Sequence, residues 1–447
     1  MLVKPNIVFI LADDLGFGEL GAFGQTRIRT PQLDRMAAEG KRFLRHYAGG
    51  PVCGPSRACL MTGQHQGSGY IKGNPSRGND VPLRPEDTTI AELLRDAGYD
   101  TACIGKWGLG KAGSTGFPTA KGFATFYGYD SHKAAHDYYP PFLWRGDGQG
   151  DRQVPYEGGA YSHDLFTEEA LAWIGRKREP EVPFFLYLAY TIPHNPYNPP
   201  DREPYDNEAW PESYRSYAAM ITRMDRDIGR LLDKLRELGI DDNTLVVFTS
   251  DNGPGSEYTR DIWEMVQFFR SAGPYRGMKR DVYDGGVHVP LIVRWPQRIQ
   301  PGDNEHVCGF QDWLPTLAEL AESRVPANTN GLSLVPALLD RPGQQQHADL
   351  YWEFISMGAE RKGRQSLLDV GEGWKAVRYG SKGAIELYRM AEDEGERNNV
   401  AADFPAVAER LAARLDAVRG DSDIWPMPET GERPLDERLE ALRPDGA

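Results

Sequence analysis

Two pairs of oxygen-bearing side chains follow apolar segments that have the character of buried strands. Asp13 and Asp14 come directly after the first apolar segment, and Asp251 and Asn252 come directly after a later one. Ligands of an open α/β sheet bind outside the carboxyl ends of its strands, so we expect these four side chains to converge. Hard oxygen donors without thiolate or imidazole suit Ca²⁺ or Mg²⁺. Taken singly, each pair is also compatible with an ordinary polar turn.

Asp13 and Asp14 can converge only if the backbone changes conformation where they lie. Adjacent residues of a strand point to opposite faces of the sheet, so the chain must leave strand geometry where the two carboxylates begin. Leu15-Gly16, directly after them, permits that change of direction. Three carboxylates in one site also hold an anionic substrate only if a metal ion cancels their charge.

The third candidate functional group is a cysteine thiol whose sequence neighbours are typical of a loop. In Cys53-Gly54-Pro55-Ser56-Arg57, Pro55 suits the first turn of a helix. Cys53 is therefore expected just before a helix N-terminus, where an anion is stabilised. A lone cysteine is more often a small buried hydrophobe, but the surrounding glycine, proline and arginine weaken that interpretation. The chain has four cysteines and no C-x-x-C pair, which argues against a disulfide scaffold and a zinc ribbon.

Lys106 and His194 are basic residues at predicted strand ends, where ligands collect. Lys106 follows the short predicted strand 101–104, and His194 follows the apolar segment 183–190. His132 and His136 have the spacing of a zinc pair on a helix. The residues between them lack a glutamate, and the surrounding Gly, Tyr and Pro argue against a helix, so zinc is the weaker interpretation.

The elements that must position these residues indicate an α/β fold. Apolar strands alternate with helices, which is typical of a parallel sheet covered on both faces. The predicted strands are 6–12, 101–104, 183–190, 244–250 and 287–294. The predicted helices begin near Pro31, Thr89, Ser162, Ser213 and Asp312. Residues 110–160, rich in Gly, Tyr and Pro, are predicted to form long loops.

The chain changes character after about residue 345. Short segments at 350–354, 366–370, 374–378 and 385–389 are typical of an antiparallel sheet, and a helix is predicted over 405–418. We therefore expect a large mixed, mostly parallel sheet between helices in residues 1–344. Residues 345–447 are expected to form a smaller α+β subdomain with an antiparallel sheet, whose charged tail beyond Glu429 runs over the surface.

The composition of the chain excludes several classes of protein. With 447 residues, of which 40% are hydrophobic and 26% charged, the chain fits a folded protein with a sizeable core. Its net charge of −14 argues against a nucleic-acid partner. No apolar run is long enough to span a membrane. The first apolar run is too short for a signal peptide, although a leader removed beforehand is compatible with this start. Neither the compartment nor the oligomeric state is predicted.

In these motifs the chain strongly resembles the sulfatase family of the alkaline-phosphatase superfamily. Residues 53–57 match the family's C-x-P-S-R signature, and residues 6–16 match its opening strand. Further matching blocks are Gly105-Lys106-Trp107, Pro193-His194, Ser250-Asp251-Asn252-Gly253, Gly277-Met278-Lys279 and Glu386-Leu387-Tyr388. The resemblance extends over about residues 5–415 and implies an alkaline-phosphatase-like fold.

The resemblance implies hydrolysis of a sulfate monoester. A separate maturing enzyme that recognises the Cys-x-Pro-x-Arg segment would oxidise Cys53 to formylglycine, whose hydrate is a geminal diol. One hydroxyl would attack sulfur and the alcohol would leave. Loss of the proton from the second hydroxyl would then expel sulfate and restore the aldehyde.

The resemblance also implies roles for individual residues. The implied calcium ligands are Asp13, Asp14, Asp251 and Asn252. The metal would bind the diol and a sulfate oxygen, and Arg57 would pair with the diol. Lys106 and Lys279 would bind sulfate oxygens as point charges. His194 would protonate the leaving-group oxygen.

Two positions depart from the family pattern. Many sulfatases have a histidine where this chain has Gly108, and that histidine is associated with taking the proton that triggers sulfate release. We expect His136 to replace it. The second departure is His288, where the family often has arginine, and only indirect consequences are expected.

The favoured substrate is a carbohydrate sulfate, with aryl sulfates as artificial substrates. The aromatic segment 110–160 would stand above the site, where Trp144 and Arg145 would meet a saccharide, unless these aromatic side chains only pack the loop down. Three alternatives stay open. One is a phosphonate or phosphate ester hydrolase on the same site, and another is an inactive sulfate-ester-binding protein, which Gly108 allows. The third, a zinc phosphatase, would need histidines where Asp and Asn stand.

Overall fold

The computed structural model describes residues 4–74, 81–156, 159–176, 178–179, 181–356 and 361–440. Within these ranges it contains sixteen strands and eleven α-helices. The strands are β1 (Asn6–Ala12), β2 (Lys41–Phe43), β3 (His46–Tyr47), β4 (Asp100–Lys106), β5 (Thr125–Tyr129), β6 (Phe142–Gly146), β7 (Arg152–Pro155), β8 (Phe184–Ala189), β9 (Thr244–Ser250), β10 (Leu291–Arg294), β11 (Gly302–Asn304), β12 (Cys308–Gly309), β13 (Asp349–Ile355), β14 (Gly363–Asp369), β15 (Trp374–Tyr379) and β16 (Ile385–Arg389). The helices are α1 (Pro31–Glu39), α2 (Cys53–Thr62), α3 (Ile90–Asp96), α4 (Ser162–Gly175), α5 (Glu212–Glu237), α6 (Arg260–Phe269), α7 (Asp284–Val287), α8 (Trp313–Leu320), α9 (Val335–Leu338), α10 (Pro405–Val418) and α11 (Leu435–Glu440).

A ten-stranded sheet forms the centre of the molecule, in the order β11-β2-β10-β9-β1-β8-β4-β5-β6-β7. Its middle strands, from β9 to β5 in that order, are parallel. Towards both edges the sheet contains antiparallel pairs. The prediction of a large mixed, mostly parallel sheet is therefore confirmed.

Strand β1 shows how the sheet separates two cores. Ile7, Phe9 and Leu11 belong to the core that also contains side chains of α2, α3 and α8. Val8 and Ile10 belong to the core on the opposite face, with side chains of α1, α4 and α5. This alternation follows from the two-residue period of a strand, and it explains why the segment is apolar throughout.

Residues 110–160 do not form the long loops that their composition predicted. Strands β5, β6 and β7 extend the sheet there, and β5 pairs with β4 in parallel. Pairing with an existing strand satisfies backbone hydrogen bonds, so these strands form without a hydrophobic period of their own. The predicted strand 287–294 is also too long, because α7 occupies its beginning and β10 starts at Leu291.

Strands β13 to β16 form a separate antiparallel sheet in sequence order, as predicted. Helix α10 covers one face of this sheet through Leu411 and Leu415. The other face packs against Tyr283 and Val287, at the two ends of α7. A domain boundary near residue 345 stays a prediction. None of the described helices is both long enough and apolar enough to cross a membrane.

The tail beyond Glu429 is held against the molecule as far as the structure describes it. The Thr430 carbonyl accepts a hydrogen bond from the backbone N–H of Gly363 at 3.0 Å. Leu435, at the start of α11, is buried and packs against Val266 of α6. The tail therefore passes close to the C-terminal sheet before it reaches α6.

Candidate active site

Asp13 and Asp14 leave β1 at its carboxyl end, as predicted. The chain leaves strand geometry at Asp14 itself, which has φ +68°, in the left-handed region. That conformation costs a non-glycine residue about 1–3 kcal/mol and persists where surrounding contacts fix it. Here the Asp14 N–H donates to Oδ1 of Asp251 at 3.1 Å. Both carboxylates are thereby kept at the sheet edge, each at most 1% exposed.

Asp251 and Asn252 reach the same edge from β9. This strand pairs with β1 so that Ser250 lies opposite Ala12, which brings the residues that follow side by side. Asn252 Nδ2 donates to Oδ1 of Asp14 at 2.8 Å. The structure therefore brings the four predicted metal ligands together, although their role stays a prediction.

Cys53 is the first residue of α2, and Pro55 lies in the first turn of that helix. Cys53, Asp13 and Asp251 each offer one potential ligand atom, and these atoms lie within 4.8 Å of one another. Cys53 is only 2% exposed, yet it lies on the floor of a cleft that opens to solvent. The thiol is thus close to the carboxylates and reachable from outside.

Asn74 is a site residue that the sequence did not reveal. Its Oδ1 accepts a hydrogen bond from the backbone N–H of Gly54 at 2.8 Å. Its Nδ2 lies 3.7 Å from Sγ of Cys53. Asn74 therefore holds the start of α2 and touches the side chain of residue 53, from a segment without any recognisable motif.

Three buried cations each pair with one of the three carboxylates. The pairs are Lys106 Nζ with Asp13 Oδ2 at 2.6 Å, Lys279 Nζ with Asp14 Oδ1 at 2.6 Å, and Arg57 Nη2 with Asp251 Oδ2 at 2.8 Å. Arg57 also donates from Nη1 to the carbonyl of Lys106 at 2.8 Å. The formal charges of the cluster cancel, which makes its burial tolerable.

The pKa values of the carboxylates reflect this crowding. Burial favours the neutral form of Asp13, yet Lys106, His194 and Arg57 hold its pKa well below the ordinary value. For Asp251, burial and the negative charge of Asp13 raise the pKa well above the ordinary value. A divalent cation is the kind of group that relieves such like-charge crowding.

The donor set fits a hard divalent cation. Asp13 Oδ1 and Asn252 Oδ1 are buried acceptors without a hydrogen-bond partner among the described residues. Buried acceptors are normally satisfied, so these two oxygens are suitable metal ligands. The oxygen-only set favours Ca²⁺ or Mg²⁺. Such an ion would make the charge-balanced cluster positive, and therefore suitable for an anionic substrate.

His194 and His136 both line the cleft and stack on each other, with ring centroids 4.3 Å apart and planes inclined by 21°. Nδ1 of His194 lies 2.7 Å from the carbonyl of Asn195, which fixes that nitrogen as a donor. Nε2 lies 3.5 Å from Oδ2 of Asp14. Burial lowers the pKa of His194 to about 3, and the Asp14 carboxylate opposes that shift.

The structure does not pair His132 with His136 as zinc ligands. A short 3₁₀ helix covers only Ala134–His136. His132 lies against Gly108, whereas His136 stacks on His194. In the described part of the chain, neither belongs to a cluster of three or more His, Cys, Asp or Glu side chains that would hold a metal.

The cleft above Cys53 has a volume of about 760 Å³. Its wall includes side chains from distant parts of the chain, namely Lys133, Tyr258, Arg280, Phe354, Arg364, Glu432 and Arg438. The last four belong to the C-terminal sheet and tail, whose contribution the sequence did not indicate. That contribution depends on the packing of the two sheets, which no local motif records.

Trp144 and Arg145, expected above the site, do not line this cleft. Both belong to β6, where Arg145 forms an ion pair with Glu169 at 2.6 Å and Trp144 packs against Phe117. The expectation failed because the segment forms strands rather than a loop. His288, the second departure, is buried, with Nε2 2.8 Å from the carbonyl of Leu44.

Comparison with known proteins gives matches over most of the chain. The family model described as Sulfatase matches residues 5–323, and the model described as N-sulphoglucosamine sulphohydrolase, C-terminal, matches residues 277–421. The N-acetylgalactosamine-6-O-sulfatase of Bacteroides thetaiotaomicron is 28% identical over 93% of this chain and 93% of its own length. The N-acetylgalactosamine-6-sulfatase of Canis lupus familiaris is 33% identical over 76% of this chain and 67% of its own length.

Comparison with solved structures also gives matches over most of the chain. The crystal structure of Ps i-CgsB in complex with k-i-k-neocarrahexaose aligns with a TM-score of 0.78 and 26% identity. The alignment covers 98% of each of the two chains. The similarity therefore includes both the central sheet and the C-terminal sheet.

Proposed function

The chain belongs to the sulfatase family of sulfuric ester hydrolases, and from this premise we propose that its substrate is a carbohydrate sulfate monoester. The main observation in support of this proposal is the position of Cys53. Its side chain lies within 4.8 Å of potential ligand atoms of Asp13 and Asp251, at the base of a cleft that opens to solvent.

We propose that Cys53 is converted to formylglycine by a separate maturing enzyme. When present, this group supplies a geminal diol as nucleophile. Asn74 and Arg57 would help to position the side chain of residue 53. Asn74 contacts the thiol, and Arg57 holds the neighbouring Asp251 in place. Exclusion of bulk water by the buried α2 helix strengthens the electrostatic contacts around residue 53.

We propose that Asp13, Asp14, Asp251 and Asn252 hold Ca²⁺, which when bound polarises the sulfuryl group. Lys106 and Lys279 are paired with Asp13 and Asp14 of this set and would bind sulfate oxygens as fixed positive charges. His194 would give the proton at Nε2 to the departing alcohol. Burial lowers the pKa of His194 to about 3, so the ring must first gain a proton at Nε2, and the Asp14 carboxylate 3.5 Å away acts in favour of that charged form.

The cleft supports a saccharide as the leaving group. Tyr258 and Phe354 offer aromatic surface, which suits the apolar faces of a sugar ring. Arg280 adds positive charge to the wall, whereas Arg438 is paired with Glu432 of the same wall, and this charge suits a saccharide with a further anionic group. Two of the similar proteins are named as N-acetylgalactosamine-6-sulfatases, which supports this class of substrate.

The test uses protein produced together with a formylglycine-generating enzyme. Conversion of Cys53 is measured from the mass of the peptide that contains it, and sulfate release is followed with N-acetylgalactosamine 6-sulfate and 4-nitrophenyl sulfate. The Cys53→Ala variant is the control. We expect sulfate release only from converted protein, with higher kcat/KM for sulfate than for phosphate esters. Preference for a phosphate or phosphonate ester would overturn the proposal.

A further inference from the structure

The space for a side chain at position 108 is occupied by another residue. Gly108 has φ +79°, which glycine adopts without strain. A Cβ atom at this position would lie 2.4 Å from Cε1 and 2.6 Å from Nε2 of His132. Real Cβ atoms essentially never approach other atoms within 3.0 Å. The imidazole of His132 and any side chain at position 108 are therefore mutually exclusive.

His132 also lies against the start of α2. A Cβ atom at Gly54 would lie 3.4 Å from Nε2 of His132. Gly54 directly follows Cys53, and His132 and Cys53 line the same cleft. His132 is only 8% exposed, so its ring has little freedom to move away. Nε2 thus lies between Gly108 and the backbone next to residue 53.

We propose that His132, and not His136, is the proton acceptor for residue 53, and that Gly108 exists to leave room for its ring. The inference rests on the proposed sulfatase function. In converted protein, the O–H bond of a hydroxyl on residue 53 would break, and its proton would bind the lone pair of Nε2. The electron pair left on that oxygen would form a C=O bond while the C–O bond to the sulfate group breaks, so that sulfate leaves. The proton then passes from Nε2 to water, so the imidazole is regenerated.

The positions of the two histidines separate their roles. The three atoms nearest to a Cβ at position 108 all belong to His132. His136 instead makes its ring contact with His194. His132 therefore lies against Gly54, the residue that follows Cys53, and His136 is next to the residue proposed to protonate the departing alcohol.

A first test needs neither conversion nor turnover. In protein with an unmodified Cys53, Gly108→Ala should displace the His132 ring and shift its imidazole NMR signals, assigned by their loss in His132→Asn. Gly113→Ala is the matched control, because Gly113 has φ +82° with no atom within 4 Å of its Cβ position. Signals that move equally little in both variants would refute the contact.

A second test follows the proton step in converted protein. With 4-nitrophenyl sulfate, His132→Asn should lower steady-state kcat by about 10²–10⁴-fold, the usual contribution of a general base. The peptide with residue 53 should retain the mass of a sulfuryl group when the reaction is stopped.

The outcomes distinguish a failure of the proposed function from a failure of the proposed role of His132. If converted wild-type protein hydrolyses no sulfate ester, the proposed function fails. If the wild type is active and His132→Asn turns over at the same rate without retained sulfuryl mass, the function stands and the role of His132 is refuted.

Discussion

The Nζ atom of Lys279 lies 2.6 Å from Oδ1 of Asp14, so a proposed sulfate-binding cation is in direct contact with a proposed calcium ligand. Both side chains are at most 4% exposed. Neither partner is accompanied by enough water to stabilise its charge alone. Substrate binding, metal binding and stability are therefore expected to be coupled through this pair.

Lys279→Ala tests that coupling. Loss of one partner from a buried ion pair costs about 3–5 kcal/mol, so the metal-free variant should unfold at a clearly lower temperature. Calcium should raise its melting temperature more than that of the wild type, because Asp14 then lacks the cation that pairs with it directly. Melting curves with and without calcium measure both effects. Lys382→Ala, from an exposed pair with Glu429, is the control. An equal calcium shift in Lys279→Ala and wild type would disprove the coupling.

Asp251→Asn tests the metal site itself. The substitution keeps the shape of the side chain but removes a negative charge that faces both Arg57 and the proposed metal. We expect calcium affinity, measured by titration calorimetry, to fall by more than about 100-fold, beyond the loss usual for residues that only support a ligand. Asp225→Asn is the control, since Asp225 is buried but binds backbone N–H groups of α1. Unchanged calcium affinity in Asp251→Asn would exclude it as a ligand.

Some of this arrangement could be predicted because it depends on local sequence. Strands β1 and β9 are largely apolar, and each is directly followed by a pair of oxygen-bearing side chains. Parallel neighbours in one sheet place those ends together, which is why the convergence of these four side chains could be predicted, whereas their role as metal ligands stays a prediction. Cys53 was similarly predictable from its helix-start residues.

The contact between His132 and Gly108 could not be predicted in this way. It depends on the path of the chain after β5, and strands β5 to β7 have no hydrophobic period that distinguishes them from loops. Asn74 reaches Cys53 without a motif. Phe354 and Arg438 reach the cleft only through the packing of the C-terminal sheet and tail.

Glu19 should make stability depend on pH. Burial raises the pKa of this carboxyl to about 7 from an ordinary value of 4.5, although hydrogen bonds from Ser271, Tyr217 and Gly16 oppose the shift. Between these two pH values the folded state holds a proton that the unfolded state has released, so stability falls as pH rises from 4.5 to 7. The loss is about 3 kcal/mol at about 1.4 kcal/mol per unit.

Glu19→Gln removes this titration. Urea unfolding at pH 5 and pH 8 should show a smaller loss of unfolding free energy in the variant than in the wild type. Glu237→Gln, at an exposed position of α5, is the control and should follow the wild type. A variant whose stability falls as steeply as that of the wild type would show that Glu19 does not titrate in this range.

Because His136 stacks on His194, the size of the loss in kcat/KM in His136 variants shows which role His136 has. An aromatic stack contributes about 0.5–1.5 kcal/mol, so loss of the stack alone should cost no more than about tenfold in kcat/KM. We expect His136→Ala to show a loss of that size and His136→Phe, which keeps a flat ring, to restore most of it. A proton-transfer role would instead cost about 10²–10⁴-fold, and phenylalanine could not restore it. Sulfate release by the two variants, measured beside His132→Asn, therefore decides which histidine takes the proton.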